Sequence, residues 1–143
     1  SSVFAAPSSF QSSLMAAIEK DQSPTLDEVD RLLHAAGVTA CTMRDRALLH
    51  EACACVSTRA ARLSATATAA LLELAQLDQG RCTVAVDGTV FELYPFFQQR
   101  MEAGLRELLS SADPPGRDRA AGVKLVLAKD GSGIGAAIIA AIA

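Results

Sequence analysis

The spacing of apolar positions changes part-way along this chain. Between Met43 and Leu77, Leu49, Ala52, Val56, Ala60, Leu63, Ala67, Ala70 and Leu74 recur three and four residues apart. That is the spacing of one helical face, and it predicts a single long helix stopped by Gly80. Ahead of it, "SPTLDEVDRLLHAAGV" predicts a short helix with Ser23 as cap and Pro24 at the first helical position. Asp27 and Glu28 fall in its first turn, Gly37 ends it, and Leu26, Val29, Leu32 and Leu33 form its buried stripe. Residues 1–12 are rich in Ser and Ala and read as a loosely held lead-in.

Beyond Gly80 the period shortens. "CTVAV" is a β-branched strand ending at Asp87-Gly88, and "YPFFQQRMEAGLRELL" is a helix with Phe97, Met101, Leu105 and Leu108 on one face. "SSADPPGRDRAAG" is a polar loop, "VKLVLA" a second strand, "KDGSGIG" a glycine turn, and "AAIIAAIA" the start of a buried helix. The pattern predicts an α/β fold: a long Ala-rich helix followed by two strand-turn-helix units. The expected division is a lead-in over 1–22, a helical segment over 23–80 and the strand-turn-helix units over 81–143.

Composition adjusts this picture in two ways. Half of the 143 residues are hydrophobic but only 4% are aromatic, so the core must be built from small and aliphatic side chains that pack by close approach of backbones. The Ala, Ser and Thr of "VSTRAARLSATATAALL" leave little bulk on the long helix, which should therefore lie against a sheet or another helix at short range. A net charge of −3, a pI near 5.3 and no Lys/Arg cluster argue against a nucleic-acid partner. No 18-residue apolar span or signal peptide is evident. Cys41, Cys53, Cys55 and Cys82 lack zinc or disulfide spacing and read as reduced thiols of a cytoplasmic protein. The absent initiator Met, and a chain that stops within an apolar run, suggest a piece of something longer.

Chemistry concentrates in the turns "VDGT" and "KDGSG". Each follows a strand and opens toward a helix, so each offers backbone N–H groups, and Gly88, Gly131, Gly133 and Gly135 carry no Cβ to obstruct a phosphate. Asp-Gly is also ordinary loop punctuation, and local rules leave both readings open. "GSGIGA" matches a dinucleotide fingerprint at Gly131, Gly133 and Ala136, but the strand and acidic residue that fingerprint needs do not follow. Ser132 has no nearby histidine, and His34 and His50 have no partners at ligand spacing, so both read as partly exposed surface residues. Arg59 and Arg62, three apart on the long helix, read as part of a solvated face.

In register, "STRAARLSA", "VAVDGTVFELYPFF" and "DGSGIGAAIIAAIA" resemble the C-terminal part of the large lobe of eukaryotic hexokinases and glucokinases. The resemblance runs from "AIEKD" at Ala17–Asp21 to the last residue. It implies a ribonuclease-H-like, actin-like ATPase lobe, and transfer of the γ-phosphoryl of Mg-ATP to the 6-hydroxyl of glucose or a similar hexose. By the same resemblance Asp87 makes the first turn, and Gly88, Thr89, Val90, Phe91, Glu92 and Leu93 line the adenosine pocket. Gly131, Ser132 and Gly133 close that pocket from the neighbouring strand. The implied cofactors are ATP and Mg²⁺, and the implied partners are ATP or ADP, a hexose and the preceding part of the same protein.

Several residues depart from the family pattern. Many relatives carry Lys where Glu92 stands and Lys, Arg or a small residue at Ile134, and Tyr94 replaces a frequent histidine. A carboxylate at 92 near nucleotide phosphates would repel them unless it points into solvent. The family's D-x-G-G-T motif, sugar-binding loops, catalytic Asp and Gly-Thr-Gly motif do not occur here. The resemblance places no catalytic residue and no metal ligand in this segment, which alone should be inactive. The alternative it leaves is a non-catalytic hexokinase-like regulatory or interaction module with a decayed ATP site.

Overall fold

The computed structural model describes residues 4–5, 8–77, 81–110 and 119–142. The expectation that Gly80 ends the long helix, and most of the "SSADPPGRDRAAG" loop, lie outside these residues. The elements run α1 (Ser12–Lys20), α2 (Asp27–Ala35), α3 (Met43–Leu74), β1 (Cys82–Val86), α4 (Thr89–Leu93), α5 (Phe97–Ser110), a 3-10 turn (Arg119–Gly122), β2 (Val123–Leu127) and α6 (Gly131–Ile142). The fold is mixed α/β, and the chain divides into two compact units, 1–59 and 60–143.

In the first unit Ile18, Leu26, Val29, Leu33 and Cys53 form the core, flanked by Leu14, Met15, Leu32 and Leu49. Helix α1 falls in the stretch expected to be a lead-in, and it buries Ile18 and Glu19. The stripe expected on α2 is the one observed, but its cap is not. The helix begins at Asp27, and the Asp21 carboxylate accepts from the amides of Glu28 (3.0 Å) and Val29 (3.1 Å). Ser23 is a donor to that same carboxylate, through its amide (2.9 Å) and its hydroxyl (2.6 Å). At the other end Gly37, with φ +84°, closes a Schellman turn in which Val38 N–H donates to Leu33 and Gly37 N–H to His34.

Helix α3 starts in a reciprocal cap: Thr42 N–H and Oγ1 donate to the Asp45 carboxylate, whose own amide donates to Thr42 Oγ1. It ends in another Schellman turn at Leu77→Leu72 and Gln76→Glu73, with Gln76 at φ +56°. The buried positions keep a helical spacing but not the expected phase: they sit one residue later from Cys53 to Ala61 and two residues later at Ala65 and Leu72. Cys53, Ser57, Ala61, Ala65 and Leu72 are buried, whereas Val56, Leu63 and Leu74 are exposed.

Ser57 is buried because its hydroxyl donates to Glu19 Oε2 at 2.7 Å. Burial, reinforced by the charge of Glu19, pushes the Cys53 thiol up to about 11, while Cys55 is exposed. At pH 8 an aromatic disulfide reagent should therefore modify Cys55 in the folded protein and reach Cys53 only on unfolding. Equal rates at the two thiols would contradict this burial.

In the second unit Ala61, Ala65 and Leu72 of α3 pack with Phe91, Phe97, Met101, Leu105, Leu109 and Leu125. Leu109 takes the core place expected of Leu108, which is 38% exposed. The short-range packing expected of the small-residue helix occurs against α5, where a Cβ on Gly104 would lie 3.2 Å from that of Ala65. Strands β1 and β2 are parallel, in the register Cys82↔Val123 to Val86↔Leu127. The segment linking them, which includes α4 and α5, makes a crossover connection.

Candidate functional site

The parallel register brings the two glycine turns together. Beyond the last pair, Val86↔Leu127, the Ala128 amide donates to Val86 O at 2.9 Å, so both chains leave the sheet side by side at the C-terminal ends of their strands. A Cβ on Gly131 would lie 3.5 Å from Asp87 Oδ2 and 3.9 Å from Ala128 Cβ. The second turn thus touches the first. In open α/β sheets ligands bind outside the C-terminal ends of the strands, the end at which these turns lie.

Each turn has its own reason for its sequence. Gly88 sits at φ +152°, ψ +140° before α4, a backbone region essentially restricted to glycine. Space is not the constraint, since a Cβ there would meet nothing within 4 Å. In the second turn Asp130 adopts φ +56° and its carbonyl accepts from Ile134 N–H at 2.9 Å, opening α6. The Asp130 carboxylate folds over Gly133, where a Cβ would lie 3.0 Å from its Cγ.

The expected site residues separate into two groups. Asp87 and Gly88 are exposed in the first turn and Thr89 and Glu92 on α4; Val90 and Leu93 are 49% and 69% exposed; and Gly131, Ser132 and Gly133, expected in a glycine turn, are instead the first three residues of α6, with the two glycines exposed. Phe91 corrects the expectation that it faces a ligand: it is 5% exposed and packs in the core of the second unit. On a five-residue helix, one large apolar side chain must turn inward to anchor it, and Phe91 is that anchor.

Glu92 does not stand alone. Its Oε1 lies 3.6 Å from Lys129 Nζ, so an ion pair runs from α4 to the opposite turn. Lys129 is a site residue beyond those expected from the sequence, where its signal is a charge opposite to that of Glu92 in the neighbouring turn.

A cleft of about 310 Å³ lies elsewhere, lined by Gln98, Glu102, Leu105 and Arg106 of α5 and Val123, Lys124 and Leu125 of β2. It contains none of the expected site residues and flanks the N-terminal part of β2, away from the converging turns. His34 lies 3.8 Å from Asp30 and is half exposed, and His50 is half-buried. Among the described residues no group of three His, Cys, Asp or Glu side chains is placed to hold a metal ion. Nor is any described helix long and apolar enough to cross a membrane.

The family profile described as Hexokinase matches residues 1–142. This chain belongs to the hexokinase family. It is 36% identical over 138 residues to the human protein named Hexokinase HKDC1, covering 94% of this chain and 14% of that protein. It is 38% identical over 136 residues to a hexokinase of Emericella nidulans, and 32% identical over 136 residues to Hexokinase-1 of Schizosaccharomyces pombe. Each of the two fungal matches covers 95% of this chain and 26% of the relative. The hexokinase chain described here thus spans about a quarter, or less, of the length of these relatives.

Proposed function

We propose that this chain supplies the adenosine side of the ATP site of an ATP-dependent hexokinase, within an actin-like lobe. The enzyme transfers the γ-phosphoryl of Mg-ATP to the 6-hydroxyl of glucose or a similar hexose. The observation that carries this reading is the meeting of the two glycine turns at the C-terminal ends of parallel strands, with Gly131 against Asp87. In this reading Asp87 and Gly88 shape the first turn, and Thr89, Val90, Glu92 and Leu93 face the nucleoside, with Phe91 fixing α4 from beneath. Gly131, Ser132 and Gly133 close the opposite wall, where the absence of Cβ atoms at two positions lets a ligand approach the backbone.

ATP with Mg²⁺ supplies the transferable phosphoryl group and the charge that neutralises it. The metal ligands and the catalytic base belong to the preceding part of the protein. Exposed Ile134, Ile138, Ile139 and Ile142 of α6 offer apolar surface for contact with that part. The Glu92–Lys129 pair weighs against a decayed site, since the carboxylate's charge is offset locally.

ADP should perturb the backbone amides of Thr89, Leu93, Gly131 and Gly133, and the complete protein should consume ATP only with a hexose present. The 143 residues alone should not turn over. Gly88→Ala, which forces a Cβ into a conformation costing about 1–3 kcal/mol, should weaken ADP binding by roughly tenfold or more. Perturbation confined to Gln98, Arg106 and Lys124 would move the site to the α5–β2 cleft and overturn the assignment.

A further inference from the structure

The charges of the two turns are unevenly divided. Residues 87–93 and 128–135 contain three carboxylates, on Asp87, Glu92 and Asp130, and one cation, Lys129. A bare array of this kind repels phosphate and tolerates an uncharged nucleoside. Any preference for a phosphorylated ligand at this edge must come from Lys129, from backbone N–H groups, or from both.

The Lys129 ammonium is held only loosely. Its side chain is 78% exposed, and its distance to Glu92 is 3.6 Å, beyond ordinary hydrogen-bond length. Exposed pairs of this kind are weak and exchange readily. The four-carbon stem of lysine lets the ammonium sweep to a new partner without moving the backbone. Glu92, at 38% exposure, is the less exposed member of the pair.

We propose that Lys129 is a specificity-determining residue that favours phosphorylated over unphosphorylated nucleoside at this site, with Glu92 as its internal competitor. This rests on the adenosine-site reading above. The ligand's phosphate displaces Glu92 from the ammonium, so the pair costs little in the free protein and offsets the carboxylate when phosphate is absent.

The test compares adenosine and ADP, titrated by calorimetry into the complete protein in a metal-free buffer. Lys129→Met should weaken ADP by about 5- to 10-fold, leave adenosine unchanged and flatten the salt dependence of ADP affinity, whereas Lys129→Arg should retain most of the discrimination. Glu92→Gln should tighten ADP by roughly 2- to 5-fold, with a smaller gain when Lys129→Met is also present. Thermal melting should be unchanged in Lys129→Met, since the side chain is exposed. Equal effects of Lys129→Met on adenosine and ADP, or none on either, would overturn the role of Lys129 while leaving the adenosine site standing. Failure of the unmodified protein to bind either ligand would overturn both.

Discussion

Gly104→Leu should destabilise the second unit by about 3 kcal/mol, a large part of the roughly 5–15 kcal/mol that holds a domain of this size together. Gly104 is buried on α5, and a Cβ there would sit 3.2 Å from Ala65 Cβ and 3.8 Å from the Arg62 backbone. The α3 and α5 backbones therefore meet with almost nothing between them. The three further carbons of a leucine must be placed where a Cβ alone already lies 3.2 Å from Ala65, and separating the helices would strip contacts from Met101 and Leu105, which share that core. It would also stretch the Arg62–Glu107 bridge, 2.9 Å in the native packing. Gly104→Ala is the graded control: a gain of about 1 kcal/mol in helix propensity opposes the crowding of one methyl, so its net effect should be within about 1 kcal/mol of zero. Urea midpoints decide the matter, and a leucine variant as stable as the parent would mean that the helices are not in contact at this point.

Asp21→Ala should cost the first unit about 2–3 kcal/mol, because one carboxylate accepts hydrogen bonds from Ser23, Glu28 and Val29 and caps α2 from outside it. Burial raises the pKa of this carboxyl, but hydrogen bonds from Ser23, Val29 and Glu28 together outweigh it and hold the value below 3.8. A depressed carboxyl pKa contributes stability that is fully present above the unfolded value and is lost as pH falls through the folded one. Stability should therefore decline below about pH 4, and part of that decline should vanish in Asp21→Asn. Urea melts at pH 6 and pH 3 would show it; an identical acid response in the Asn variant would remove Asp21 from the account.

Both results turn on contacts between positions far apart in sequence or across helices, and this separates what was legible from what was not. The two strands, the helices α2, α3, α5 and α6, and the two Asp-Gly turns could be read from local patterns. A period of two or 3.6, a glycine in a turn and a Schellman glycine at Gly37 are properties of a few consecutive residues. The face that α3 buries could not be read this way. An Ala-rich helix has apolar atoms on nearly every side, so periodicity leaves its phase open; close approach to α5 selects the small residues Ala61 and Ala65 over Leu63. Ser57 is drawn inward by Glu19, 38 positions away, and the α2 cap comes from Asp21 rather than the nearer Ser23. Helix α1 has no acidic residue in its first turn and no side-chain cap, so it is marked by packing, of Ile18 with Leu14 and Met15 beside it.

The candidate site divides along the same line. By itself the sequence determined that two Asp-Gly turns each follow a strand, that Gly88 and Gly131 leave backbone open, and that Glu92 is the odd charge, because those are choices of side chain at single positions. Tertiary structure alone decided that the turns touch, that Phe91 faces the core and that Glu92 meets Lys129. Those depend on the parallel register of β1 on β2, which aligns Val86 with Leu127, and no residue states its register until its partner strand lies beside it.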